Sequence, residues 1–156
     1  MKKTPREGSL LRINLPDGMA VFARVLANAQ VAVYSYRTTQ DNSSVSQQIY
    51  DCPVLWILTV MKSAFEPNRW RVVDFRPLEP ALSKPVEYFI RDRITGEYST
   101  YRSSDGHTRP SSSEYCKKLE AAAVWEPEQV EERIVDHFNG RPNQSAMTLN
   151  AADTSL

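Results

Sequence analysis

The sequence predicts an α+β fold: a curved antiparallel β-sheet, open or closing toward a partial barrel, with helices in the C-terminal third. Three observations predict it. Short apolar, β-branched segments follow one another through the first half at connections too short for parallel crossovers. Turn signals separate them, at Pro16-Asp17-Gly18, at residues 66–69 and at Arg93-Ile94-Thr95-Gly96. Sustained helical periodicity arrives only late, where Val130, Ile134 and Phe138 recur at i, i+4 and i+8.

Taken in order, residues 10–15 alternate imperfectly and stop at the first turn. Residues 19–26 form the next apolar run, interrupted by Arg24. Residues 31–36 alternate Val31, Val33 and Ser35 against Ala32, Tyr34 and Tyr36. With residues 27–30 as a short connection, these three segments read as a meander. Residues 38–48 are polar throughout and read as a mobile loop. Pro53 introduces residues 54–61, the longest apolar run, which predicts a fully buried central strand. A strand over residues 70–75 follows the next turn, and Pro77, Pro80 and Pro85 exclude continuous helix beyond it. Residues 87–91 and 97–102 flank a hairpin turn with Gly96 where positive φ is needed. Ser111, Ser112, Ser113 and Glu114 predict the cap of a short helix running to Lys118 or Leu119.

The last helix opens at Pro127, which suits the first helical position because its missing N–H costs nothing there. Glu126, Glu128, Glu131, Glu132 and Asp136 follow with only Arg133 against them, so one stripe is apolar and the rest is mostly carboxylate. His137 lies in the last turn, beside the final carbonyls, and Asn139-Gly140 supplies a left-handed stop before Arg141-Pro142. Residues 1–142 read as one domain. Residues 143–156 are small and polar and read as a loose tail.

Lysine plus arginine equals aspartate plus glutamate at 19 each, which removes the usual footprint of a general nucleic-acid-binding domain. Local patches remain, since arginines populate the middle and acids the end. Met1-Lys2-Lys3 is followed by Thr4-Pro5-Arg6-Glu7 rather than an apolar stretch, so no secretory signal is read. No run is long enough to cross a bilayer as a helix. Cys52 and Cys116 form no CxxC pair and read as reduced, buried residues of a cytoplasmic protein.

No catalytic, cofactor or metal-ligand motif stands out. His107 and His137 are the only histidines and belong to no HxH or HExxH spacing. No GxSxG elbow occurs, and Cys116 has only Lys117 and Lys118 beside it to lower its pKa. Arg91, Arg93, Tyr98, Tyr101 and Arg102 interleave bases with aromatics, either to stack single-stranded nucleic acid or to pair across the hairpin. The charge balance favours pairing.

Two blocks together resemble the immunity protein 26 family of bacterial polymorphic-toxin systems. The first is Gly8-Ser9-Leu10-Leu11-Arg12-Ile13-Asn14-Leu15-Pro16-Asp17-Gly18, with Ala23-Arg24-Val25-Leu26 and Val33-Tyr34-Ser35-Tyr36 after it. The second runs from Tyr115-Cys116 through Val124-Trp125-Glu126-Pro127-Glu128 to Asp136-His137-Phe138. Ser9 stands where the family has an acidic residue, and Gln129 where it often has histidine. The resemblance implies a cytoplasmic antitoxin that binds a cognate toxin domain, delivered by a neighbouring cell, and occludes its active site. Some relatives carry a phosphotriesterase label, which implies an organophosphate hydrolase as the alternative; a nucleic-acid-binding module is the second. Water activation on a phosphotriester calls for a metal-bound hydroxide or a nucleophile–base pair, and the histidine count argues against both. No cofactor, membrane or direct nucleic-acid partner is expected. The candidate partner-binding residues are Glu128, Glu131, Glu132 and Asp136, as mimics of phosphate charge toward a nuclease toxin. Tyr34 and Tyr36, beside the loop of residues 38–48, are candidates as interface anchors.

Overall fold

The computed structural model describes residues 4–150. The basic start, Met1-Lys2-Lys3, and residues 151–156 of the expected tail lie outside them. The chain forms β1 (Ser9–Asn14), β2 (Met19–Val25), β3 (Gln30–Thr39), α1 (Gln47–Asp51), β4 (Val54–Val60) and β5 (Arg71–Phe75). There follow β6 (Glu87–Arg91), β7 (Tyr98–Arg102), β8 (Thr108–Ser111), α2 (Ser113–Cys116), β9 (Val124–Trp125), α3 (Pro127–Phe138) and α4 (Gln144–Leu149).

The fold is α+β with two sheets. Six strands lie in the order β5-β1-β2-β3-β4-β9 and three in the order β6-β7-β8. The meander β1–β4 is antiparallel, as its short connections require. Register shifts in the β1–β5, β2–β3 and β3–β4 pairs mark bulges, which bend and twist a sheet locally. The large sheet is therefore curved but not closed.

Strand alternation sends Leu11, Ile13, Val21, Ala23, Val31 and Val33 to one face. Val130 and Ile134 of α3 pack there, fully buried, together with Trp125. Burying those two side chains contributes roughly 1.5–3 kcal/mol each before ordering costs, more than any surface charge term on the helix. The opposite face buries Leu10, Phe22 and Tyr34 beneath Ile49 of α1. The helix begins and ends as its caps dictate. Gln129 Oε1 accepts from the Glu126 backbone N–H at 3.0 Å, and Gly140 stops the helix at φ 68° with Arg141 N–H on the Asp136 carbonyl at 2.8 Å.

Several expectations need correction. Residues 38–48 are not a free loop: β3 runs on to Thr39, and α1 folds over Tyr34 from Gln47. Between them, the Arg12 guanidinium holds the Gln40 and Asn42 carbonyl oxygens. β4 is neither central nor fully buried. It is next to the edge strand β9, with only Leu58 and Val60 buried, because its start faces a cleft between the two sheets. β9 pairs with it in parallel. Helix α2 ends at Cys116 rather than Lys118. Residues 143–150 are not loose: Asn143 is buried, caps α4 through its Oδ1, and donates to Asp136 Oδ2 at 2.9 Å. Ala146 and Leu149 then pack against the core, so contact with α3, not intrinsic periodicity, orders this segment.

Candidate partner-binding surface

Helix α3 presents its acids in two different roles. Val130, Arg133 and Ile134 face inward. Arg133 makes a two-pronged ion pair with Glu120, 2.9 Å at each prong, and its guanidinium lies 4.2 Å from the Trp56 ring centroid and 5.0 Å from that of Trp125. Glu131 is turned toward the body: its Oε2 accepts from Trp70 Nε1 at 3.0 Å and pairs with Arg69 at 3.3 Å. Asp136 accepts from Asn143 Nδ2 at 2.9 Å and Arg141 Nε at 3.2 Å. Both hold the fold. Glu128 and Glu132 point outward; the Glu128 side chain is 65% exposed and, among the described residues, pairs with Arg69 at 3.5 Å. Residues four apart share a helix face, so these two form one outward acidic pair.

Tyr34 is 2% exposed, and its hydroxyl accepts from Arg24 Nη1 at 3.1 Å. Burial raises its pKa against the opposing pull of Arg24. With α1 closed above it, Tyr34 offers a partner no side-chain surface. Tyr36 is half-buried against Phe22, ring centroids 5.9 Å apart. The four acids and two tyrosines are thus placed differently: Glu128 and Glu132 point outward, Glu131 and Asp136 are held by the fold, Tyr34 is buried and Tyr36 is half-buried.

On the small sheet, Arg91 and Tyr98 are direct cross-strand partners, with the guanidinium 5.5 Å from the ring centroid. Arg102 pairs with Asp105 at 2.6 Å. The interleaved bases and aromatics therefore stabilise the hairpin itself. His107 is exposed, with its backbone N–H on Asp105, and His137 packs edge-on against Trp56 at 5.4 Å. Cys52 and Cys116 are free thiols, the first half-buried and the second buried. Burial pushes the Cys116 thiol up, against the role of an activated nucleophile. Among the described residues, no three His, Cys, Asp or Glu side chains stand together as a metal-binding group. No helix among them is long and apolar enough to cross a membrane.

The residues that decide which acids are free were not evident from composition. Arg69 and Trp70 lie some sixty positions before the glutamate they hold. Arg133, which the sequence reading set only against the acids, is buried instead; its position three after Val130 and next to Ile134, on the inward stripe, is the signal that could have found it. A cleft of about 600 Å³ also opens between the sheets, lined by Leu55, Trp56 and Ile57 of β4 and by Leu119, Glu120 and Met147 among others.

No curated protein and no solved structure matches the chain. The family model described as immunity protein 26 matches residues 6–100, from the approach to β1 through most of β7. That span exceeds half of the 156 residues and contains the whole meander with Gly8, Arg12 and Arg24. By that match, this chain belongs to the immunity protein 26 family.

Proposed function

We propose that this chain neutralises a cognate toxin domain by stoichiometric binding over its active site, and that the outward acids of α3 make the contact. Family membership supports a binding role with a toxin as the class of partner. The observation that carries the choice of surface is the exposed pair Glu128 and Glu132, one turn apart on a helix whose inner side is fixed by packing. A rigid element presents charge without an ordering cost at the moment of binding. The Arg69–Glu128 contact is partly exposed on both sides, and such pairs are worth about 0–1 kcal/mol, so a cation of the partner replaces it at little cost. A toxin with a basic substrate cleft, as in a nuclease, is the partner these charges attract and orient. An inhibitor interface of standard size buries about 1,600 Å² in total, so residues beyond α3 take part in the contact. The two free thiols suit action in a reducing cytoplasm.

The test is Glu128→Lys combined with Glu132→Lys, using a toxin domain that the wild-type chain is first shown to bind and neutralise. The expected result is an association rate at least tenfold slower at low salt, with the difference shrinking as salt rises. Unchanged neutralisation and unchanged salt dependence would remove α3 from the contact surface. Glu131 and Asp136 are left intact, because reversing them would unseat Trp70 and Asn143 and confuse folding with binding.

A further inference from the structure

The end of the β1–β5 pair carries charge that the fold does not balance. Arg12 on β1 and Arg71 on β5 are directly opposed Cα partners, and opposed like charges on neighbouring strands weaken a sheet. Arg12 is 6% exposed. Its guanidinium donates to the Gln40 carbonyl at 2.6 Å, the Asn42 carbonyl at 2.5 Å and, through Nε, Asn14 Oδ1 at 3.2 Å. Those neutral acceptors take one hydrogen bond from each of its three nitrogens and, among the described residues, leave its charge without a counter-ion, a costly state for a buried cation. Arg71 is exposed and forms no ion pair among the described residues. With Arg69, Asn14, Pro67 and Asn68, these two arginines line a pocket of about 200 Å³ whose wall contains no carboxylate. Glu128 and Glu131 neutralise Arg69 from outside that wall.

We propose that this pocket binds a small oxyanion, a carboxylate or phosphate group. The free fork of Arg71 supplies the two-pronged contact that suits either group. Arg12 supplies fixed positive charge from behind, where partial burial reduces screening. Because Asn14 Oδ1 faces Arg12, its amide nitrogen is left as a donor, and Asn68 adds a second carboxamide. This site goes beyond the toxin-binding reading and is tested on the isolated chain, so its failure leaves that reading standing.

The experiment is thermal unfolding of the full chain titrated with sodium phosphate and, separately, sodium acetate. Sodium chloride at matched ionic strength is the reference. An anion bound only by the native state raises Tm along a saturating curve. Arg71→Glu places a carboxylate opposite Arg12; it should raise Tm before any anion is added and shift the titration midpoint at least tenfold higher. Arg71→Gln, which removes charge without adding any, should shift that midpoint at least threefold higher. Saturation with phosphate alone identifies a phosphate site, and saturation with acetate identifies a site that accepts carboxylates. No response beyond chloride overturns the proposal. So does a non-saturating rise shared by all three proteins, the mark of a general salt effect, or a saturable response that neither variant weakens.

Discussion

Gly8 sits where three segments converge. Its N–H donates to the Val25 carbonyl at 2.9 Å, and its carbonyl accepts from Arg76 N–H at 3.1 Å and Arg24 Nε at 3.2 Å. The backbone there has φ +96°, and an added Cβ would lie 2.3 Å from the Arg76 carbonyl oxygen. Gly8→Ala meets both a disfavoured conformation and a backbone clash, so it should cost roughly 2–3 kcal/mol, read as a lower urea midpoint. Arg24, fully buried beside it, spreads its donors over the Tyr34 hydroxyl, Glu79 and the carbonyls of Gly8, Arg76 and Pro77. In the sequence Arg24 is only a break in an apolar run; Glu79 and the Arg76 and Pro77 carbonyls, which take much of its donor capacity, come from more than fifty residues away. Exposed Asp105 is simpler. Hydrogen bonds from Arg102 and then from the His107 N–H hold its carboxyl down at about 2. A depressed native pKa means that the pair's stabilisation is present above about pH 4 and is lost as pH falls toward 2. An NMR titration of the Asp105 carboxyl should show the low midpoint, and Arg102→Gln should move it upward.

At the scale of elements, α3 was the most legible part of the chain because its signals are local: proline at the start, a 3.6-residue apolar stripe, and glycine after the end. Gln129 adds to them, closing the cap through Glu126. Gln129→Ala frees that backbone donor and should cost about 1 kcal/mol, measured by denaturant unfolding, with the fold unchanged. Strands β1 to β7 were legible from alternation and turns, although β4 was placed too centrally. The pieces that escaped are short. β8 contains Pro110 and is exposed over most of its length, β9 has two residues, and α1 and α4 have five and six. None has enough residues to show a period, and each exists because a neighbour supplies its partners.

Across the whole molecule, the small sheet is tied to the large one by polar contacts at its inner edge. Tyr88 on β6 is 3% exposed, and its hydroxyl lies 2.9 Å from Gln30 Oε1 on β3 and 3.0 Å from the Ile57 carbonyl on β4. Asn28 Nδ2 donates to the Ser103 carbonyl at 3.0 Å, and the β6 edge is covered where Phe89 bridges to Ala121. Burial, with Glu120 nearby, pushes the Tyr88 hydroxyl up to about 12. The neutral phenol is the native form, so stability is full below about pH 10 and is lost as pH rises from there toward 12. Tyr88→Phe should flatten that alkaline decline, seen as a smaller fall in Tm between pH 10 and 12 than in the wild type.

The sequence by itself determined the α+β class, the meander, the hairpin, the span of α3 and the resemblance that the family match bears out, because each depends on neighbours within a few turns or strands. Which acids point outward, which tyrosine is core and where, among the described residues, arginines meet without a counter-ion were decided only by the tertiary structure. Charge has no local period. Whether Glu131 is a contact or a strut depends on Arg69 and Trp70, and whether Arg12 is compensated depends on what β5 sets opposite it. Packing of the apolar stripes places the elements, and the charged side chains then take whatever partners that placement brings within reach.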